Sequence, residues 1–520
     1  MMRFRLMNDF SYLIYQKDFS EKGNDRYFLY DIDKFQEVTA KDLLNIDKTI
    51  ITHDYWLIAN SIYKEASALP KRVIDVVLLA KINIGIKAST SSDQPWDISN
   101  TIKPLFKDEC DFDNYTQMYY RRIELSEETY MFFSHKLAEF TEQALDKAKI
   151  LGEFDRFISL EVPLFNALVL SACKGIRIDN ATLRKHKEQL EFDYYRELKR
   201  FAEKHNVFYQ VPNEGEIREK LSGLGYETAG YSLDFLMEFI HSKEEYTDDL
   251  ISLQKIYKSY RIFSSISLSQ KRIYPIVETH WTSTARIYQK SPSLQNISKK
   301  YRNIFIADNG LQLSYVDYDQ FEVGIMAAIS GDDKMKGIYE SSDAYLELAK
   351  AVFSDKGLRG KAKILFLSYT YGMSLDNILS SVSSLSGNQK AAKAYFSEFS
   401  TYEKWKAGVY TEYESKGLVS TIKGNLLHRT GSGELTQKEK RTCVNHVIQG
   451  TATYIFKEAL LELCNHKEVE VLIPMHDAVL FQHPATFKPQ EAVKVFQDKM
   501  TDILDGKVQG KASIEPFYAG

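Results

Sequence analysis

Near its C-terminal end the chain reads IPMHDAVLF, Ile473 to Phe481. An ionisable pair, His476-Asp477, interrupts two apolar runs. The wider stretch EVEVLIPMHDAVLFQ reads as strand, tight turn, strand, with the pair at the turn. A lone carboxylate buried in such surroundings costs several kcal/mol, so Asp477 is expected to be paired, hydrogen-bonded or bound to a metal.

A partner of the same kind lies 160 positions earlier. LQLSYVDYD alternates as a strand and passes into the helical QFEVGIMAAISGD, placing Asp317 at a strand end. Two strand-end carboxylates meeting at one sheet edge can hold hard divalent cations through oxygen. A pair of such ions about 3.5–4 Å apart clamps the attacking and leaving oxygens of a phosphoryl transfer. Taken singly, either Asp is better read as a turn cap.

A third stretch favours the phosphate reading. LRGKAKILFLSYTYGMS spaces Arg359, Lys363, Leu367 and Tyr371 at intervals of four, so on a helix all four share one broad side. Two cations at the N-terminal end of that helix suit a polyphosphate, with a hydrophobe and a phenol below for a base.

The rest of the chain sets the frame. Its 520 residues are 44% hydrophobic and 27% charged, as in an ordinary globular protein of two to four domains. With 25 Gly and 11 Pro, both sparse, loops are expected to be short and helix plentiful. No run approaches the ~18 apolar residues of a membrane span, and the N-terminus lacks a clean signal-peptide core. Cys110, Cys173, Cys443 and Cys464 form no C-x-x-C pair, which suits reduced thiols in a cytoplasmic setting. The net charge of −4 does not point to nucleic acid, but Ile251–Phe305 holds ten basic residues against one acid, Glu278. Tyr257, Tyr260, Tyr274, Trp281, Tyr288 and Tyr301 are interleaved with them, as on a phosphate-tracking surface; a solvated helix face reads equally well. Residues 1–150 alternate short apolar runs with helical stretches, as a small α/β domain does. FISLEVPLFNALVLSACKGIRID reads as a helix stopped at Gly175, and TDDLISLQKIYKSYRIFSSISLSQ as another long helix.

These stretches resemble the motifs of family A (Pol I-like) DNA polymerases. DYDQFEV is similar to motif A (D-Y-S-Q-x-E), RGKAKILFLSYTYG to motif B (R-x-x-x-K-x-x-x-F-x-x-x-Y-G), and MHDA to motif C (H-D-E). TSTARIYQKSPSLQNIS and RTCVNHVIQGTATYIFKEAL resemble two further family motifs in the same order, so the likeness covers roughly residues 155–520. It implies an α+β right-hand polymerase of palm, fingers and thumb built on an antiparallel palm sheet. The implied polymerase domain is 151–520, with the thumb at about 185–275 and the fingers at about 335–408. Asp317, Asp477 and the Tyr318 carbonyl would hold two magnesium ions, with manganese as a substitute. Arg359 and Lys363 would bind the incoming phosphates, Lys363 also protonating the pyrophosphate. Leu367 and Tyr371 would lie at the nascent pair, and Gln320 and Glu322 near the sugar, Glu322 excluding a 2′-hydroxyl. Arg286, Gln295, Asn296, Arg441, Asn445, Gln449 and His476 would track the primer–template. The implied substrates are primer–template DNA and deoxynucleoside triphosphates. A monomer working with replication accessory proteins, in a bacterial or viral cytoplasmic context and away from membranes, is expected.

The chain departs from the family pattern at Ala478 (motif C acid), Gly324 (motif A arginine), Tyr345 (a histidine), Leu367 (an aromatic) and Ser293 (an asparagine). Two other readings therefore stand beside synthesis: a primer–template binding protein with little turnover, and a single-subunit RNA polymerase, against which Glu322 argues. Residues 1–150 would be a degenerate 3′–5′ exonuclease-like, RNase H-like domain. THDYWLIAN resembles its second motif, with Asp54 as carboxylate, but YMFFS supplies Tyr130 and then Ser134 where an Asp belongs. Asp31 and Asp33 read as turn residues, and the chain has too few residues upstream to supply the family's first strand intact. No proofreading is expected.

Overall fold

The computed structural model describes residues 9–20, 24–31, 34–84, 113–114, 117, 126–228, 233–240, 244–280, 282–341, 343–385 and 387–519. The first sheet contains β1 (Phe10–Gln16), β2 (Arg26–Asp31), β3 (Lys34–Val38), β4 (Thr49–Thr52) and β5 (Val73–Asp75), in spatial order β3-β2-β1-β4-β5. β1 lies in the middle, antiparallel to β2 and parallel to β4. Its sequence, FSYLIYQ, is rich in aromatic and branched residues and is buried along nearly its whole length, as a strand covered on both faces must be. A strand, Phe10–Gln16, does precede Asp31, and it carries no carboxylate.

Helix α1 (Glu127–Ile150), capped by the Ser126 hydroxyl, packs Tyr130, Phe133 and Leu137 into the same core. Helix α2 (Val162–Lys174) follows a π-helical turn, carries a proline in its first turn, and stops at Gly175, whose φ of 73° favours glycine. The helical stretch Phe154–Lys174 is long and apolar enough to cross a membrane by length and composition, which corrects the expectation that nothing comes near. Here it is shared by two cores. Phe165 and Val169 face the N-terminal sheet, while Leu164 and Leu168 join the cluster built on the second sheet.

Helices α3 (Asn180–His205) and α4 (Glu245–Ser264) pair and close a separate apolar core with Tyr194, Phe201, Leu250 and Leu253. The second sheet is wholly antiparallel: β6 (Leu311–Tyr318), β7 (Glu470–Pro474), β8 (Ala478–Pro484) and β9 (Ala512–Ile514), in order β7-β8-β6-β9. Both of its faces are covered. Val316, Tyr318, Val479 and Phe481 pack toward helices α5 (Phe321–Ser330), α8 (Gln437–Asn465) and α9 (Pro489–Ile503), while Tyr315, Ala478 and Leu480 belong to another cluster with Phe517. That double coverage explains the nearly unbroken apolar runs around His476-Asp477. Between β6 and α8 the chain is largely helical from Asp333 to Lys416, including α6 (Ala344–Phe353) and α7 (Arg359–Thr370).

A buried ion network ties the N-terminal half to α8. Arg156 pairs with Glu153 and Glu161, and the Lys457 ammonium on α8 donates to both Glu161 oxygens at 2.7 and 2.9 Å. Among the described cysteines, Cys173, Cys443 and Cys464 are free thiols.

Candidate active site

The two carboxylates meet through sheet register. Asp317 on β6 lies opposite Ala478 on β8, and the Tyr318 amide donates to the Asp477 carbonyl at 3.1 Å. The Met475 amide closes the turn on the Ala478 carbonyl at 2.7 Å, with His476 and Asp477 between. Both turn residues are exposed, which corrects the premise that Asp477 is buried: its apolar flanks enter the sheet and the pair reaches solvent.

Electrostatics mark the site as overcharged. Burial and then Asp477 push the Asp317 carboxyl up to about 7, with Glu515 and Asp319 adding to the effect and Lys299 opposing it. The protein crowded around the turn raises the Asp477 carboxyl too, although solvent reaches its side chain; Lys363 and Arg286 draw it back. Although solvent reaches it, the protein crowded around the His476 ring, then Arg286 and Lys258, hold the imidazole down at about 4, so it is neutral.

Tyr318 contributes main chain only, because its ring stacks on Phe321 at 4.0 Å and its hydroxyl donates to the Phe496 carbonyl. Asp319 and Glu515 went unread in the sequence. Asp319, two positions beyond Asp317, stands where the family pattern has serine and accepts from Ser513 at 2.9 Å. Glu515 had no local signal: its amide donates to the Tyr315 carbonyl, and only that pairing brings it near Asp317.

The α7 stripe forms as its spacing predicts. Arg359 and Lys363 are exposed, Leu367 and Tyr371 half-buried, while Ala362, Leu365, Phe366 and Tyr369 face the core. Arg359 is tied to Asp343, the N-cap of α6, at 2.7 Å. A second cluster joins four elements. Gln449 on α8 donates to the Glu322 carboxylate at 3.5 Å and to the Tyr371 hydroxyl at 3.4 Å, and Arg286 lies 3.9 Å from Glu322. Burial raises the Glu322 carboxyl, with Tyr371 and Arg286 working against it. Arg441, Asn445 and Gln449, four apart, form one half-buried stripe along α8.

Other candidates are engaged inside the protein. The Gln295 amide donates to the carbonyls of Ile287 and Pro474 while its oxygen accepts from the Gln289 amide, so it staples its loop to β7. Both of its side-chain N–H donors are thus used within the protein. Asn296 donates to Ser293 at 2.7 Å. Gln320, in the left-handed region at φ 49°, accepts from the Ala344 amide at 2.9 Å and so links β6 to α6. Nor is the Ile251–Phe305 stretch one open basic surface: Arg272 pairs with Asp308 and Lys290 with Glu278, while Lys255, Lys258 and Arg261 lie on α4. Trp281 lies outside the described residues. At Gly324 a β-carbon would come within 2.7 Å of the Tyr339 ring and 2.6 Å of the Met500 methyl, so a larger side chain there would have to displace that ring.

In the N-terminal sheet, register separates the acids. Tyr30 and Ile51 both lie opposite Tyr12; Asp31 continues from Tyr30 toward Ser11, whereas Asp54 lies three residues past Ile51 in the opposite direction along β1. Asp31 and Asp54 thus stand about four residues, or about 13 Å, apart along β1. Asp31 pairs with Lys48, and Asp33 lies outside the described residues. Ser134 donates to the Tyr130 carbonyl of its own helix at 3.1 Å. Asp54 is buried beside Asp75.

Comparison with known proteins places this geometry. Residues 205–515 match the family described as DNA polymerase family A. The thermostable DNA polymerase I of Thermus filiformis is 24% identical over 420 residues, covering 70% of this chain and 49% of that protein. DNA polymerase I of Bacillus caldotenax is 24% identical over 376 residues, covering 64% and 42%. DNA polymerase theta of Caenorhabditis elegans is 29% identical over 217 residues, covering 39% and 13%. The chain spans about half the length, or less, of these curated relatives. A solved structure described as the POL domain of Pol1 from M. smegmatis in complex with DNA primer-template and dNTP aligns with a TM-score of 0.73. That alignment covers 99% of this chain and 96% of the other at 17% identity, and it identifies the fold as the right-hand polymerase. With well over half of its length matched, and both Asp317 and Asp477 inside the match, this chain belongs to DNA polymerase family A.

Proposed function

We propose that the chain is a template-directed DNA polymerase that adds deoxynucleoside triphosphates to a primer 3′ end, without proofreading. The observation that carries this reading is the Asp317–Asp477 pair, joined by register, with the charges of Lys363 and Arg286 acting on Asp477. A magnesium pair fits the donors present. Burial, and then the charge of Asp477, push the Asp317 carboxyl up to about 7, and a divalent cation offsets the repulsion between the two acids. Among the described residues no group of three or more His, Cys, Asp and Glu side chains is placed to hold a metal. Magnesium, with manganese in its place, would therefore take Asp317, Asp477 and the Tyr318 carbonyl, and substrate phosphates and water for the rest. When bound, the ions supply charge neutralisation for in-line phosphoryl transfer.

The other residues divide the substrate among them. Arg359 and Lys363 bind the triphosphate, Lys363 standing ready to give a proton to the pyrophosphate. Leu367 and Tyr371 face the base, and Glu322 crowds the sugar 2′ position. Arg286, Asn296, Arg441, Asn445, Gln449 and His476 follow the primer–template. The N-terminal unit serves as a platform, a remnant of an exonuclease: β1 carries no acid and Ser134 is spent on its own helix.

Ala478 supports a second reading, a primer–template binder with little turnover. Extension of a labelled primer by one nucleotide with magnesium separates the two: growth is expected, and binding without growth would overturn synthesis. With metal and no nucleotide, a mismatched primer is expected to stay full length. Steady 3′ shortening that survives Asp317→Ala would restore a working exonuclease.

A further inference from the structure

Arg359 and Lys363 stand one turn apart on the exposed side of α7, and like charges at that spacing repel. One aromatic ring serves both. The Arg359 guanidinium carbon lies 5.3 Å from the Tyr345 ring centroid, and the Lys363 ammonium 5.5 Å from it. Both are within the ~6 Å over which a ring quadrupole attracts a cation. Tyr345 comes from the first turn of the neighbouring helix α6 and is only 4% exposed, so the ring is a fixed wall. Phe366, on the buried side of α7, meets it edge-on at 5.7 Å and 79°. Asp343 accepts from Nε and a terminal nitrogen of Arg359 at 2.9 and 2.7 Å, while its other oxygen caps α6 through the Tyr345 and Leu346 amides. Burial and the field of Glu322 keep the Tyr345 hydroxyl protonated, so the cations meet a neutral π face and no phenolate.

We propose that Tyr345 is a positioning residue for the incoming triphosphate, its ring holding Arg359 and Lys363 together as one preformed phosphate-binding pair. The proposal rests on the polymerase reading above. Two long side chains free in solvent lose rotamer freedom when they close on an anion; a shared ring removes part of that loss beforehand. The effect belongs to nucleotide binding and should appear in KM more than in kcat. A ring that merely fills the core would be replaceable by any apolar group of like size.

The test is single-nucleotide insertion by the full chain on primer–template DNA. It compares Tyr345→Phe, phenylalanine analogues at position 345 carrying one, two and three ring fluorines, and Tyr345→Leu. Fluorination drains the ring quadrupole while nearly keeping its shape, so misfolding does not confuse the series. Tyr345→Phe is expected within about twofold of wild-type KM for the nucleotide. KM should climb with each fluorine to about tenfold, as should Tyr345→Leu, with kcat changing less and duplex affinity unchanged. A KM that stays flat across the fluorinated series, or equal values for Phe and Leu, overturns the proposal. Should wild type extend no primer, the polymerase reading falls by itself. The same series is then read as nucleotide affinity in the complex with DNA, with the same outcomes deciding Tyr345.

Discussion

Asp317 and Asp477 are neighbours by main-chain register: β6 and β8 pair Asp317 with Ala478, and the Tyr318 amide holds the Asp477 carbonyl at 3.1 Å. Their side chains can therefore be altered without moving the strands that carry them. Asp317→Ala or Asp477→Ala should abolish primer extension and leave duplex affinity within a few-fold, since binding rests on basic side chains elsewhere. Loss of one oxygen ligand should cost several kcal/mol of transition-state stabilisation. A variant keeping more than about a tenth of wild-type rate would remove that carboxylate from the metal site.

Glu322 lies against Tyr371 and Gln449, with Arg286 3.9 Å away. Glu322→Ala opens that space while leaving Tyr371 and Gln449 each other. Ribonucleotide insertion should rise relative to deoxynucleotide insertion by about tenfold or more, since what is removed is a steric and polar block worth at least about 1.4 kcal/mol. An unchanged ribo-to-deoxy ratio in competition would leave Glu322 as a helix N-terminal residue and nothing more.

Asp75 gives a pH dependence of known sign. Burial first, then Asp54, push its carboxyl up to about 7, against hydrogen bonds from the Tyr55 and Val77 amides. The unfolded chain releases this proton near the ordinary Asp value, about 3.9. Between those limits the folded state holds more protons, so its stability falls as pH rises toward 7. Melting temperatures of wild type and Asp75→Asn, followed from pH 4.5 to 8, should show wild type losing ground to the variant as pH rises. A constant gap would contradict this.

Glu161 is the shared acceptor of Arg156 and Lys457. Glu161→Ala leaves the Lys457 ammonium buried without its carboxylate, so the loss should be about 3–5 kcal/mol. Lys457→Met should cost less, because Glu161 keeps Arg156. Denaturant midpoints measure both, and equal midpoints would mean that the network contributes packing alone.

Much of the site was legible because its signals are local. A period of two carried Asp317 to a strand end, a period of four put Arg359, Lys363, Leu367 and Tyr371 on one side of a helix, and the break between apolar runs marked the His476-Asp477 turn. Side-chain spacing along a single element follows from backbone geometry, so the order of residues suffices to read it. The contacts of Gln295 and Gln320 were not legible for a different reason: motif position does not say which backbone group lies opposite. Gln295 is taken by Pro474 and Ile287, and Gln320 by Ala344.

What the order of residues alone determined is the set of elements and the placing of two strand-end carboxylates and two helix-borne cations. Only the tertiary structure decided which strands became neighbours, and with that several things no local pattern announces. It put Phe10–Gln16 at the centre of a sheet and Asp31 and Asp54 at different levels along it. It brought Glu515 toward Asp317, set Tyr345 beneath both cations, and filled the space beside Gly324 with Tyr339. The physical reason is that pairing across a sheet or between helices is chosen by the total burial and hydrogen bonding of the whole chain. That sum belongs to no segment by itself.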